Sequence, residues 1–254
     1  MDIDLNSDVG ESFGAYRIGA DEAVIASITS ANIACGYHAG DPAVMRHTVR
    51  LARDAGVAIG AHPGFPDLVG FGRRELRATP REIEDLVLYQ IGAIAGIARA
   101  EGTAIAHVKA HGALYNMAAR DRSLADAIAR AVRSFDASLV LFGLPGSELL
   151  RAGEDAGLQV ASEGFADRAY SADGSLAPRG AAGAVIHDPD EVVRRALAMV
   201  QQRRVVATDG SVLTFAVDTL CVHGDTPGAA ALAARLRAGL ERDGVTVRPI
   251  LRRM

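Results

Sequence analysis

The feature that most constrains this chain is a unit that recurs along it: a short apolar run, a break into a polar or glycine-rich cluster, then a stretch with helical spacing. The apolar runs read as strands, and the periodic stretches as amphipathic helices that cover them. Residues 2–5 alternate into a first strand, and Asn6-Ser7-Asp8-Val9-Gly10-Glu11 follows as a polar loop. Further strands are predicted near 31–35, 57–61, 104–108, 139–142, 158–161, 220–222 and 245–247. Helices are predicted near 21–29, 42–54, 80–101, 122–134, 145–156, 189–202 and 227–242. Local signals set several starts: Asp41 as an N-cap before Pro42, and Thr79-Pro80 with Glu82 as a capping box. Residues 205–217, folded about Asp209-Gly210, read as a small hairpin insertion. Strands alternating with helices through right-handed crossovers give a parallel sheet. About seven such units, with no dinucleotide fingerprint after the first strand, favour an α/β fold of the (β/α) barrel type, TIM-like and distorted or short of eight strands. The expectation is one such domain over 1–254.

Chemistry in a (β/α) barrel lies at the C-terminal ends of its strands. The residues that follow the strands here are Asp8 and Glu11, His38 and Asp41, His62, Lys109 and His111, Glu163 and Asp167, then His223 and Asp225. Lys109 is the only lysine in a chain that otherwise relies on arginine. An ammonium is compact and serves as a point charge, or as a base when desolvated, which a guanidinium does not. Lys109 is therefore read as stabilising an oxyanion or a phosphorylated intermediate, with His111 as its proton-transfer partner. Five of the seven histidines, His38, His62, His107, His111 and His223, fall within or just after a strand. One such histidine is a packing residue; several on one barrel face indicate catalysis. Asp8, His38 and His62 form a candidate divalent-metal set that leaves positions open for water and substrate. A loop-capping role is the alternative for Asp8, and Glu11 reads as a solvated charge at a helix entry, ranked below it. Asp41 has its capping role besides any binding role. Asp167-Arg168, with Asp173 and Arg179, suits anion recognition or an exposed ion pair. His223-Gly224-Asp225 reads as an acid/base pair or a loop-orienting pair, and 170–183 as a lid or partner-facing loop.

With 254 residues, 49% of them hydrophobic, the chain can bury a large core. A net charge of −4 without any basic block argues against nucleic acid or an anionic membrane as partner. The two cysteines, Cys35 and Cys221, sit far apart in apolar runs and read as buried thiols in a reducing compartment. No apolar run is long enough to span a bilayer and no leader pattern opens the chain, so a cytoplasmic enzyme is expected. Walker A, GxSxG and CxxC patterns are all missing.

Several long blocks, taken in order, resemble the LamB/YcsF family. They are Asp4-Leu5-Asn6-Ser7-Asp8-Val9-Gly10-Glu11, Ala31-Asn32-Ile33-Ala34-Cys35-Gly36-Tyr37-His38-Ala39-Gly40-Asp41 and Gly60-Ala61-His62-Pro63-Gly64-Phe65-Pro66-Asp67. To these are added His107-Val108-Lys109-Ala110-His111-Gly112-Ala113-Leu114-Tyr115-Asn116, Phe165-Ala166-Asp167-Arg168-Ala169-Tyr170 with Asp173-Gly174-Ser175-Leu176, and Val222-His223-Gly224-Asp225. The chain departs from the family pattern at Ala110, where proline is usual, and at Tyr37, where phenylalanine is frequent; neither position is an ionisable member of the predicted site. The resemblance implies a seven-stranded barrel like that of the glycoside hydrolase/deacetylase group. It also implies an ATP-dependent cyclic amide hydrolase that opens 5-oxo-L-proline to L-glutamate, with ATP and its Mg as co-substrate and partner subunits B and C. On that reading Asp8, His38, His62, Lys109 and His111 carry the chemistry, while Asn6, Asp41, Glu163, Asp167, Arg168, His223 and Asp225 bind substrate or phosphate. The rival readings are a stand-alone metal-dependent amide or ester hydrolase using Asp8, His38 and His62, and a subunit that only presents substrate.

Overall fold

A computed structural model describes residues 1–222 and 228–250. His223 and Asp225, expected at the site, lie outside the described residues. The first half runs β1 (Asp2–Val9), α1 (Asp21–Ile25), β2 (Ser30–Ala34), α2 (Pro42–Asp54), β3 (Ala58–His62), α3 (Pro80–Ala100), β4 (Ile105–Lys109), α4 (Gly112–Ala118) and α5 (Arg122–Phe135). The second half runs β5 (Val140–Gly143), α6 (Glu148–Asp155), β6 (Gln159–Phe165), α7 (Pro189–Gln202), β7 (Arg204–Val206), β8 (Val212–Thr214), β9 (Thr219–Val222), α8 (Ala229–Arg242) and β10 (Thr246–Val247).

β1 to β6 pair in parallel in chain order, and β9 pairs with β6 on one side and β1 on the other, which closes a seven-stranded parallel barrel. Closure removes both sheet edges. β10 extends the first turn of the barrel outside that ring, through Asp2↔Thr246 and Ile3↔Val247. β7 and β8 form a separate antiparallel ribbon between α7 and β9, where the sequence predicts a hairpin.

The helices start where local chemistry starts them. Asp41 accepts from the Ala43 and Val44 amides with Pro42 in the first turn, and Thr79 and Glu82 form a reciprocal capping box ahead of Pro80. Along α3, Ile83, Val87, Ile91, Ile94 and Ala98 are buried at helical spacing, so one stripe faces the barrel. They meet Ile59 and Val108 from the strands and Ile128 and Val132 from α5 in one continuous apolar shell. Burying each such side chain is worth about 1.5–3 kcal/mol, which makes this shell the main source of stability.

Two strands run longer than the sequence predicts. β1 continues through Asn6 and Asp8 to Val9, and β6 through Glu163 to Phe165. The reason is the barrel interior. Ile3, Leu5 and Val9 join the apolar shell, while Asp4, Asn6 and Asp8 alternate to the other face and are paired in the lumen. Polar residues in a strand look like a loop only when no closed lumen is available to satisfy them. α1 is shorter than predicted, ending at Ile25, and α4 is an additional short helix directly after β4.

Candidate active site

The lumen is a ladder of hydrogen bonds rather than a stack of aliphatic layers. At its base Asp4 accepts from the hydroxyls of Thr29 at 2.7 Å, Ser30 at 2.7 Å and Thr219 at 2.5 Å. Burial pushes the Asp4 carboxyl up to about 6, against the pull of those three hydroxyls. One layer higher, Asn6 donates to Thr219 and accepts from Asn32, which also donates to Asp8 at 2.8 Å. The His107 ring closes this layer through Asn32 Oδ1 at 2.8 Å and stacks on Phe142.

Lys109 tops the ladder. It ends β4, is 3% exposed, and places its ammonium 2.9 Å from Asp8 and 2.8 Å from Glu163. It also lies 3.3 Å from Asn6 Oδ1 and 3.1 Å from Cys221 Sγ. Burial by itself depresses an ammonium, but the Asp8 and Glu163 carboxylates outweigh it and hold Lys109 well above its usual range. Held between two carboxylates, the ammonium sits as a fixed positive charge. Glu163, fully buried at the end of β6, also accepts from Tyr115 Oη at 2.8 Å. Burial, followed by the Glu163 charge, raises the Tyr115 phenol well above its ordinary value and keeps it a donor.

Beside this group sit three histidines and a carboxylate. His38 follows β2, His62 ends β3, His111 precedes α4, and Glu11 follows β1 after Gly10, whose φ of 69° turns the chain back toward the barrel. All four are nearly inaccessible, and one donor atom from each lies within 4.8 Å of the others. His38 and His111 stack at 3.8 Å, and His62 stands edge-on to both. Burial, then the neighbouring rings, pushes His38 and His111 well below the usual histidine range, so both are neutral.

Above these groups opens a cavity of about 240 Å³. Its lining includes Asp8, His62, Lys109, His111, Tyr115 and Phe165, with Arg73, Arg168 and Arg179 adding positive charge. Leu176, Ala177 and Pro178, from the segment predicted as a lid, form part of the wall.

The structure thus gathers Asp8, His38, His62, Lys109, His111 and Glu163. Asn6 is present too, but as a lumenal strut below Lys109 and not as a cavity residue. Arg168 reaches the cavity while donating to the Ala184 and Ala177 carbonyls, at 3.2 and 2.6 Å, and burial pushes its guanidinium down to about 10. Asp167 turns instead to a recess beside Ile186, Pro189 and Leu232. Asp41 spends one oxygen on its helix cap and the other on the Gly14 amide, beside a recess lined by Arg17 and His47. Neither Asp167 nor Asp41 lines the mouth cavity. Glu11 corrects the sequence reading most: it is 3% exposed among the histidines, not a solvated charge. In the histidine cluster Glu11 and His111 stand where the sequence set placed Asp8, which lies 3.4 Å from His62 Nε2 but pairs with Lys109. Tyr115, which stands in the same sequence block as Lys109 and His111, and Cys221, which no motif marks, complete the surroundings of Lys109.

Fold and site together define a class: a seven-stranded (β/α) barrel that presents charged and imidazole groups to a small cavity at the C-terminal mouth. The chain belongs to the LamB/YcsF family, whose model matches residues 3–254. It is 59% identical over 245 residues to the 5-oxoprolinase A-subunit of Methylococcus capsulatus, covering 96% of this chain and 94% of that one. It is 58% identical over 248 residues to the 5-oxoprolinase A-subunit of Chloroflexus aggregans, covering 98% of each. Among solved structures, the lactam utilization protein from Thermus thermophilus matches with a TM-score of 0.93 at 50% identity, covering 98% of this chain and 100% of that one. No helix among the described residues is long and apolar enough to cross a membrane.

Proposed function

We propose that this chain is the A-subunit of an ATP-dependent 5-oxoprolinase, which with partner subunits B and C opens 5-oxo-L-proline to L-glutamate. The observation that carries the reading is near-full-length identity, 59% and 58%, to chains named for that activity. The geometry supports it. A cavity of about 240 Å³ lies below the ~300–1,000 Å³ of pockets that enclose drug-sized ligands, and suits a small cyclic acid better than a whole nucleotide. Arg73, Arg168 and Arg179 offer the charge that the substrate carboxylate needs. A lactam carbonyl is a poor electrophile, and phosphorylation of its oxygen by ATP makes the carbon open to water. The Lys109 ammonium, unable to leave its two carboxylates, neutralises charge that builds on that oxygen. Asp8 orients substrate and water at the cavity floor, beside the rings of His62 and His111. ATP with Mg enters as co-substrate of the assembled enzyme. The cytoplasm is the location that suits this chemistry, in keeping with the two buried, reduced cysteines.

The test is a glutamate-release assay on this chain alone and with its B and C partners, each with and without ATP. Turnover is expected only in the complete mixture with ATP. Release by the chain alone without ATP would replace this reading with that of a stand-alone amide hydrolase. Full turnover after Asp8, Lys109 and His111 are disabled together would reduce the chain to a presenting subunit.

A further inference from the structure

The orientation of two histidines beneath the cavity leaves a gap that hydrogen bonding within the protein does not fill. His62 Nδ1 lies 2.7 Å from the Lys109 carbonyl, and His111 Nε2 lies 2.8 Å from the Phe71 carbonyl. A carbonyl can only accept, so each of these nitrogens carries the hydrogen of its ring. In a neutral imidazole the other nitrogen is then a bare lone pair. Those two lone pairs, His62 Nε2 and His111 Nδ1, face each other at 3.0 Å. Two acceptors at that separation repel unless a cation lies between them, and a proton there would create a buried imidazolium. Carbonyls that fix the far nitrogen while the near one points at a common centre are the usual outer partners of metal-bound histidine.

His38 supplies the independent sign. It is fully buried, and neither ring nitrogen has a hydrogen-bond partner among the described residues. Its Nε2 lies 3.9 Å from Glu11 Oε1, and the same oxygen lies 4.0 Å from His111 Nδ1. A buried imidazole without partners is costly unless something else binds it. The surroundings are shaped for this ring: a Cβ on Gly64 would fall 2.6 Å from His38 Nδ1, although Gly64 does not have a positive φ that would itself require glycine.

We propose that Glu11, His38, His62 and His111 hold one divalent transition-metal ion of the zinc class. Three imidazoles and one carboxylate suit zinc or cobalt, whereas magnesium and calcium prefer oxygen donors. The four donor atoms span up to 4.8 Å. Tetrahedral zinc with bonds of ~2.0–2.1 Å sets its donors about 3.3 Å apart, so small side-chain rotations close the shell. His62 and His111 also line the cavity, which puts the ion against its floor, with the Asp8 carboxylate 3.4 Å from His62 Nε2 on the substrate side. The set differs from Asp8, His38 and His62, the one the sequence suggests: Lys109 claims Asp8, and Glu11 takes its place.

The experiment is a titration of the full-length, chelator-stripped chain with Zn²⁺ against a chromophoric competitor, and with Co²⁺ followed by visible absorption. One equivalent per chain is expected, with the intense visible bands of four-coordinate Co²⁺. His38→Ala and Glu11→Gln should each weaken Zn²⁺ binding about 100-fold or more and abolish those bands. Circular dichroism of the stripped proteins checks that each variant folds. Gly64→Ala keeps all four ligands but displaces the His38 ring, so it should weaken binding even if a ligand variant fails to fold. Sub-stoichiometric binding by the folded wild-type chain, or binding unchanged in His38→Ala, would overturn the site. Metal is measured without turnover, so loss of this site and loss of the 5-oxoproline reading are separate results.

Discussion

At the scale of single residues, Lys109 and Asp4 show opposite ways of keeping a charge group inside a barrel. Lys109 holds its charge because two carboxylates share it. Lys109→Met would leave Asp8 and Glu163 buried without a counter-ion, and unfolding titrations should show a loss of about 3–5 kcal/mol. Adding Asp8→Asn and Glu163→Gln should restore much of that stability while glutamate release by the reconstituted complex stays absent. Recovery of activity along with stability would show that Lys109 is a strut only. Asp4 has no cation beside it among the described residues, and burial lifts its carboxyl from 3.8 to about 6. Folding therefore favours its protonated form. That contribution is complete below the unfolded value and is lost as pH rises through about 6. Between those values the stability of the wild type should fall relative to Asp4→Asn by about 3 kcal/mol. Parallel pH profiles for the two proteins would show that the hydroxyls of Thr29, Ser30 and Thr219 suffice to keep Asp4 ionised.

At the scale of elements, the lumen accounts both for a required glycine and for the strands that outrun their sequence signal. A Cβ on Gly60 of β3 would meet His107 Nε2 at 2.0 Å, the atom that holds Asn32. Gly60→Ala should cost at least ~1–3 kcal/mol in chemical denaturation by forcing that ring aside. The same variant carrying His107→Ala should recover part of the loss; no recovery would place the fault in the strand backbone. Such couplings also mark what sequence can reveal. The starts of α2, α3 and α7 were legible because caps such as Asp41, Thr79 and Asp188 act within a few residues of themselves. The strand order and the residues at strand ends followed from the repeat. The length of β1 did not, because Asn6 and Asp8 are satisfied by Asn32, Thr219 and Lys109, all distant in sequence. Glu11 was hidden for the same reason: its neighbours along the chain suggest solvent, and its neighbours in space are imidazoles.

At the scale of the molecule, the lumenal ladder joins the strands that must come together for the barrel to exist. β9 reaches β1 through Thr219 to Asp4 and Asn6, β2 reaches β4 through Asn32 to His107, and Lys109 ties β4 to β1 and β6. Such cross-links make the ring one cooperative unit, since losing any strand exposes buried polar groups on its neighbours. The β7–β8 ribbon has no part in the ladder; it is joined to the rest by the Thr208 amide to the Tyr170 carbonyl, by Phe215 packed on the Tyr170 ring, and by Val205, whose side chain alone in the ribbon is buried in the main core, with Leu213 partly buried against it. Hydrogen exchange followed by mass spectrometry should therefore show the barrel strands protected to a common, global level, with 204–214 and 171–187 opening well below it. Saturating 5-oxo-L-proline should slow exchange around Leu176 and Arg179, which line the cavity, and leave the ribbon unchanged. A ribbon as slow as β1 would make it part of the cooperative core. Slowing at the ribbon without slowing at Leu176 would place the ligand away from the cavity, and with it the assignment of the mouth as the binding site would fall.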